Sequence, residues 1–336
     1  MSNHDTIRLT AAEVSSLWSQ YQADTMVSCV FTHFLNTIQD SEIRSVIEYA
    51  MQESQKHILT IKEIFVKDDY PVPFGFSPSE DVVTTAHRMF TDVFMLMYLR
   101  QMSIIGMAGA GLTIGTAARS DVSILFMEVI AGAVKLHDRA RQLLLKKGLY
   151  VRPPSISAPL KAEYIQNQSF LSGFFGEKRA LTAMEITHLV QNIKTNEMGK
   201  AMSISFAQCA RNDDTKNFLW RAKQIAEKHI DIFTTTLNKE DVPVPMSSDS
   251  CVTDSTAAPF SDKLMISHVC MMNAAGIGNY AVSAAASQRR DLALSYGRLM
   301  AEIGLLAEDG VQIMIDNNWL EQPPMAEDRA VLVGKH

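Results

Sequence analysis

Between residues 10 and 38 the apolar and aromatic positions Val14, Leu17, Trp18, Tyr21, Met26, Val30, Phe34 and Ile38 recur at spacings of three to five. That is the period of a helix with one buried face. Thr10 followed three residues later by Glu13 forms the sequence signature of a capping box and sets its start. A second helix is expected over 41–67, opened by Asp40 or Ser41 and closed by Tyr70-Pro-Val-Pro-Phe-Gly75, because proline cannot continue a helix. A helix-poor stretch, 68–84, follows. A third helix, capped by Ser79 or Thr84, runs to about 117. Arg119-Ser-Asp121 reads as a tight turn with Ser120 or Asp121 as cap. The fourth helix reaches Lys147, and Gly148 stands where a C-terminal glycine belongs.

The pattern then repeats. Leu181-Thr182-Ala-Met-Glu185 restates Leu9-Thr10-Ala-Ala-Glu13, and helices are expected near 182–209, 212–238, 260–287 and 290–317. Glu13 and Glu185 lie 172 positions apart, as do His57 and His229 and the Pro-Val-Pro cores of residues 70–74 and 241–246. Arg119 and Asp121 return as Arg289 and Asp291 after 170 positions, and Gly148–Pro154 returns as Asn318–Pro324. Solenoid repeats have periods of roughly 20–50 residues, so this is a whole domain duplicated.

The expected fold is all-α: two tandem ferritin-like four-helix bundles, 1–150 and 181–325, with a linker over 151–180. A helix of about 28 residues is about 42 Å long. The stretch 68–84 is long enough to cross that length, as a crossover between the second and third helices of a ferritin-like bundle requires. The two halves are expected to pack as an intrachain pseudo-dimer. Phe170-Leu-Ser-Gly-Phe-Phe-Gly176 in the linker is expected to pack across their junction rather than stand exposed.

Composition narrows the function. The chain has 336 residues, 47% of them apolar, and a formal net charge of -6. It has no long basic run, which argues against nucleic acid as a partner. Cys29, Cys209, Cys251 and Cys270 show neither a disulfide framework nor zinc-knuckle spacing. The N-terminal residues lack the apolar core of a classical signal peptide, so secretion by that route is not expected. The most apolar run, Ile104–Ala118, is fifteen residues, shorter than the roughly 20 of a membrane span.

The bundle fold raises the question of a metal site. Di-iron bundles use a Glu from each of two helices and a Glu-x-x-His from each of the other two. In the first half Glu53 and His57 are four apart, Glu128 and His137 nine apart, and the third helix offers only Asp92. The second half contains one such motif, Glu185-Ile-Thr-His188, together with His229 and His268. Counting from the turn near residue 210 puts His188 and His229 within about 4 Å of the same level. Glu185, His188, His229 and His268 are therefore the candidate ligands for Fe, Mn or Zn. No cofactor is the leading expectation, and no catalytic residue stands out. Glu13, His57, Arg119, Asp121, Arg289 and Asp291 read as repeated structural positions: caps, turn contacts and hydrogen bonds between helices. The cluster Asn273, Gly276, Gly278, Asn279 and Tyr280 has its first-half counterpart in Gly106, Gly109 and Gly111. These glycines favour close helix packing and fit no phosphate-binding motif.

Glu13-Val-Ser-Ser-Leu-Trp18, Gln55-Lys-His57, Leu149-Tyr-Val-Arg-Pro-Pro154, Phe170–Arg179 and Ala274-Ala-Gly-Ile-Gly-Asn-Tyr280 together resemble the Bacillus-type DUF3231 family of duplicated helical proteins. A more distant likeness points to the CotF-like spore coat, ferritin-like group. The resemblance implies a Firmicute spore-former and a cytoplasmic or spore-associated protein, and it brings no catalytic residues with it. Together with the duplicated bundle and the missing di-iron pattern, the coat likeness makes a non-enzymatic structural or interaction protein linked to sporulation or the spore coat the leading expectation, with homo-oligomer or coat-protein partners. The alternatives are a metal-binding protein or oxidoreductase with its site in the second bundle, and a carrier of a small apolar ligand. An enclosed pocket with convergent polar groups would favour the carrier.

Overall fold

The computed structural model describes residues 7–174, 178–244 and 251–334. The fold is all-α. In chain order the helices are α1 (Ala11–Thr37), α2 (Ser41–Lys67), the short α3 (Pro78–Asp81), α4 (Asp92–Thr116), α5 (Ser120–Lys146), α6 (Ala183–Cys209), α7 (Asp213–Asn238), α8 (Asp262–Ala286), α9 (Arg290–Asp316) and the short α10 (Arg329–Leu332). A 3-10 turn, Gln168–Leu171, interrupts the linker. Helices α1, α2, α4 and α5 pack together as one cluster and α6 to α9 as a second.

The ends of these helices follow from local chemistry. Glu13 accepts from the Thr10 amide at 2.8 Å while its own amide donates to the Thr10 hydroxyl at 3.3 Å, completing the expected capping box. Thr182 and Glu185 repeat it at 2.9 and 3.2 Å. After α5 and α9 the chain turns through left-handed residues at equivalent places, Gly148 (φ 69) and Asn318 (φ 57). There Leu149 N–H donates to the Leu144 carbonyl and Trp319 N–H to that of Met314, which satisfies the last-turn acceptors.

Two expected starts are corrected. The third long helix begins at Asp92, capped by the Thr91 hydroxyl, and not at Ser79 or Thr84. Residues 82–91 are committed elsewhere, to pairing with the other half of the chain. At the start of α5 the cap position is Arg119, and no side chain caps the helix. The Asp121 carboxylate is drawn instead onto the Arg119 guanidinium at 2.6 Å.

Two antiparallel bridges join the halves, Val82 with Phe260 and Phe90 with Val252. Around them Val83 N–H donates to Pro259 O (2.9 Å), Thr253 to Met89 (3.0 Å), Thr91 to Cys251 (3.0 Å) and Ser261 to Asp81 (3.1 Å). Shifting one partner of each bond up by 170 residues and the other down by 170 turns the first bond into the second and the third into the fourth. The bridges exchange in the same way, which is the signature of a self-complementary interface. Tyr98 Oη meets His268 Nε2 at 2.6 Å, and these two occupy the same position in the two repeats, so the contact lies where the exchange maps onto itself. Farther out, Gln22 donates to Glu321 and Lys194 to the Val151 carbonyl, again an exchanged pair. Phe90 rests edge-on against Phe206 and His33 against Phe260, carrying one hydrophobic core across the seam.

By length and composition α4 is apolar enough to cross a membrane. Its first half, however, is core: Phe94, Met95, Leu96, Tyr98 and Leu99 are fully buried at the seam. Its second half is rich in Gly and Ala and less covered, with Leu112 exposed. In the linker, Phe170 is half-buried beneath the Arg179 guanidinium, 4.0 Å from the ring centre, whereas Phe174 is exposed. Phe175 and Gly176 of that segment, and Pro245 and Met246 of the second Pro-Val-Pro turn, lie outside the described residues.

Candidate functional site

The repeated acidic and basic positions form a clamp at the end of each helix cluster. Glu13 is buried and accepts four hydrogen bonds: two from Thr10, one from the Ala118 amide at 2.9 Å and one from the Arg119 amide at 2.7 Å. Arg119 in turn holds Asp68 at 2.5 Å and Asp121 at 2.6 Å. In the second half Glu185 accepts from Thr182, from the Arg289 amide and from both terminal nitrogens of Arg179. Arg289 holds Glu240 at 2.8 Å and Asp291 at 2.9 Å. Burial pushes the Glu185 carboxyl up, but the Arg179 guanidinium and the backbone amides outweigh it and hold the group down at about 2. Glu13 is likewise held below the usual carboxylate range, burial being outweighed by the Thr10, Arg119 and Ala118 donors. A carboxylate so fully donated to is a structural tie between helix ends.

The two repeated histidines differ. On α7 the His229 ring is bonded on both sides, Nδ1 to Tyr280 Oη at 3.0 Å and Nε2 to Glu302 at 3.1 Å, and Asn196 donates to the same tyrosine oxygen at 2.7 Å. Here the expected hydrogen bonds between helices are present. On α2, His57 is 5% exposed and neither ring nitrogen has a hydrogen bond. Its nearest carboxylate oxygen is Asp24 Oδ2, 3.4 Å from Nδ1. The repeat explains the difference. Tyr280 corresponds to Ala110, Glu302 to Gly132, Tyr296 to Phe126, and Asn196 to Asp24. The first half therefore lacks both side chains that hold the second-half histidine.

The missing side chains leave space. A cavity of about 470 Å³ opens between α1, α2, α4 and α5, lined by Asp24, Glu53, His57, Gly109, Phe126 and Leu136 among others. Met271, from α8, contributes to its wall. The corresponding space in the second half, lined by Asn196, His229 and Tyr280, is about 50 Å³. Glu53 on α2 partly takes over the place of Glu302: its Oε2 lies 2.5 Å from where a Cβ on Gly132 would stand. At Gly109 an added Cβ would meet nothing within 4 Å.

The four candidate metal ligands have separate partners. Glu185 is in the clamp, and His188 Nδ1 faces Ser283 Oγ at 3.3 Å. His229 bonds Tyr280 and Glu302, and His268 is buried at the seam against Tyr98. Burial holds the His268 ring down at about 4. Among the described residues no three His, Cys, Asp or Glu side chains converge as a metal would require.

Asp24, Ala110 and Gly132 are the site residues that sequence reasoning missed, and Glu53 entered it only as a carboxylate at the wrong spacing from His57 for a di-iron motif. The signal was present in the repeat itself: a large or polar side chain in one half standing opposite Ala or Gly in the other.

An all-α chain of two pinned helix clusters, one filled and one hollow, defines the class of protein. The chain belongs to the DUF3231 family, proteins of unknown function, whose model matches it twice, over residues 2–161 and 169–332. No curated protein matches the sequence. Among solved structures it is similar to a Bacillus halodurans protein inferred to be a spore coat protein, at 20% identity and a TM-score of 0.41, over 46% of this chain and 100% of that one.

Proposed function

We propose that this is a non-enzymatic carrier or sensor of a small, mainly apolar molecule, held in the cavity of the first helix cluster. The second cluster serves as its filled scaffold. In this reading residues 1–150 and 181–325 are tandem ferritin-like bundles assembled as an intrachain pseudo-dimer. The observation that carries the reading is the contrast between two copies of one plan: about 470 Å³ in the first and about 50 Å³ in the second. Ligand pockets fall at about 300–1,000 Å³, mostly apolar with a few placed polar groups, and the first cavity has that size and character. A purely structural protein would gain nothing from hollowing one copy, since a cavity costs stability in proportion to its volume. The metal-site alternative is less favoured, because Glu185, His229 and His268 are engaged in separate structural contacts.

The test is binding of a neutral, environment-sensitive dye, N-phenyl-1-naphthylamine. Saturable binding at one site per chain, displaced by octan-1-ol and lost in Gly109→Phe, supports a ligand cavity. Equal binding by wild type and Gly109→Phe would place the dye elsewhere and remove the basis of the reading.

A further inference from the structure

Resting on the ligand-carrier reading, we infer that the ligand is an amine: an apolar body with one cationic nitrogen, bound head-first against Asp24, Glu53 and His57. The cavity lining contains two carboxyl groups, Asp24 and Glu53, and no Lys or Arg. The neighbouring cation on the same helix, Lys56, is engaged at the surface with Glu128 at 2.7 Å and is not part of the lining. A ligand carboxylate or phosphate would meet like charge with no Lys or Arg in the lining to offset it. An ammonium would meet two opposite charges in a partly water-excluded site, where such pairing is stronger than in bulk water.

His57 makes the site more than a pair of acids. It is 5% exposed, lines the cavity and leaves Nε2 without a partner. Buried polar atoms without partners are rare in folded proteins and call for an explanation. The His57 Nδ1 lies 3.4 Å from Asp24 Oδ2 without a hydrogen bond, so both ring nitrogens stand unpartnered beside the cavity wall. An ammonium N–H supplies the donor that the acceptor nitrogen of a neutral imidazole lacks here. Gln20 donates to the same Asp24 oxygen at 2.8 Å and orients the carboxylate. In the second half the same stations are neutral or filled: Asn196 for Asp24, Ile225 for Glu53, and the Tyr280 hydroxyl against His229. In the second half the carboxylate at the histidine, Glu302, is already engaged by His229 and Lys228, so an uncommitted imidazole beside carboxylates is found in the half that has room for a ligand. Phe126 and Leu136 on α5, on either side of Gly132, and the exposed glycine face of α4 suit an alkyl or aryl body.

The test compares octylamine, octan-1-ol and octanoate by isothermal titration near neutral pH, on the full chain and on Asp24→Asn. The variant carries at residue 24 the side chain that the second repeat already uses there, so the fold tolerates it. The expected order is amine, then alcohol, then acid. The amine should bind at least about tenfold tighter than the alcohol, as one hydrogen bond to a charged group implies. Asp24→Asn should erase most of that preference while leaving the alcohol unchanged. Equal binding of amine and alcohol to the wild type overturns the amine assignment and leaves the carrier reading standing, as does tighter binding of octanoate. Binding of none of the three overturns both.

Discussion

At the residue scale, burial decides what each histidine can do. His33 and His268 sit in the core across the seam, and burial holds each ring down at about 4, against an ordinary value of 6.5. Above pH 6.5 neither the folded nor the unfolded chain protonates these rings, and they leave stability unchanged. As pH falls below 6.5 the unfolded chain takes up protons that the folded chain refuses, so stability drops, and the drop levels off near pH 4. Each ring contributes on the order of 3 kcal/mol across that window. Urea unfolding at about pH 7 and about pH 5 should show this loss, and His268→Gln should show a smaller one. An equal loss in the variant would mean that other groups govern acid unfolding. Glu185 acts in a lower window: with its carboxyl held down at about 2, its contribution is present above 4.5 and is lost as pH falls from there.

At the element scale, the same helix has opposite tolerances in the two repeats. Gly109 on α4 borders open space, and glycine within a helix costs about 1 kcal/mol relative to alanine. Gly109→Leu should therefore raise the unfolding midpoint while reducing dye binding. Tyr280→Ala on α8 should instead destabilise by about 3–5 kcal/mol, the range for truncating a large buried aromatic ring. It also strips the Oη partner from His229 and Asn196. Thermal unfolding of the two variants checks both signs, and a stabilised Tyr280→Ala would contradict the plug role of that ring. The helices themselves were legible, because caps and apolar period are local: Thr10 with Glu13 and Thr182 with Glu185 mark two starts directly. The start of α4 was not, because residues 82–91 owe their conformation to partners near residues 251–261. The cavity was half legible. Its histidine stood out as a repeat, but its volume depends on Ala110 and Gly132, which carry no chemistry of their own and gain meaning only against Tyr280 and Glu302.

At the scale of the whole molecule, the seam ties the halves by contacts that exchange under the repeat, and the linker contributes little to that union. Residues 155–165 are exposed. A protease site placed there and cut should leave the two fragments migrating together in gel filtration under native conditions. Separation of the fragments would mean that the covalent link, and not the seam, holds the two halves together. The seam also gives the hollow half a rigid neighbour, since Met271 of α8 forms part of the cavity wall. In this account Tyr280 and Glu302 fill one copy, and Ala110 and Gly132 at the same positions leave the other its pocket. The most direct test of that account is a crystal structure of the full chain soaked with octan-1-ol. The account predicts ligand density between α1, α2, α4 and α5, beside Phe126 and Leu136, and none beside Tyr280 in the second half. A first-half interior closed by collapse of α4, or density of equal strength in both halves, would contradict it.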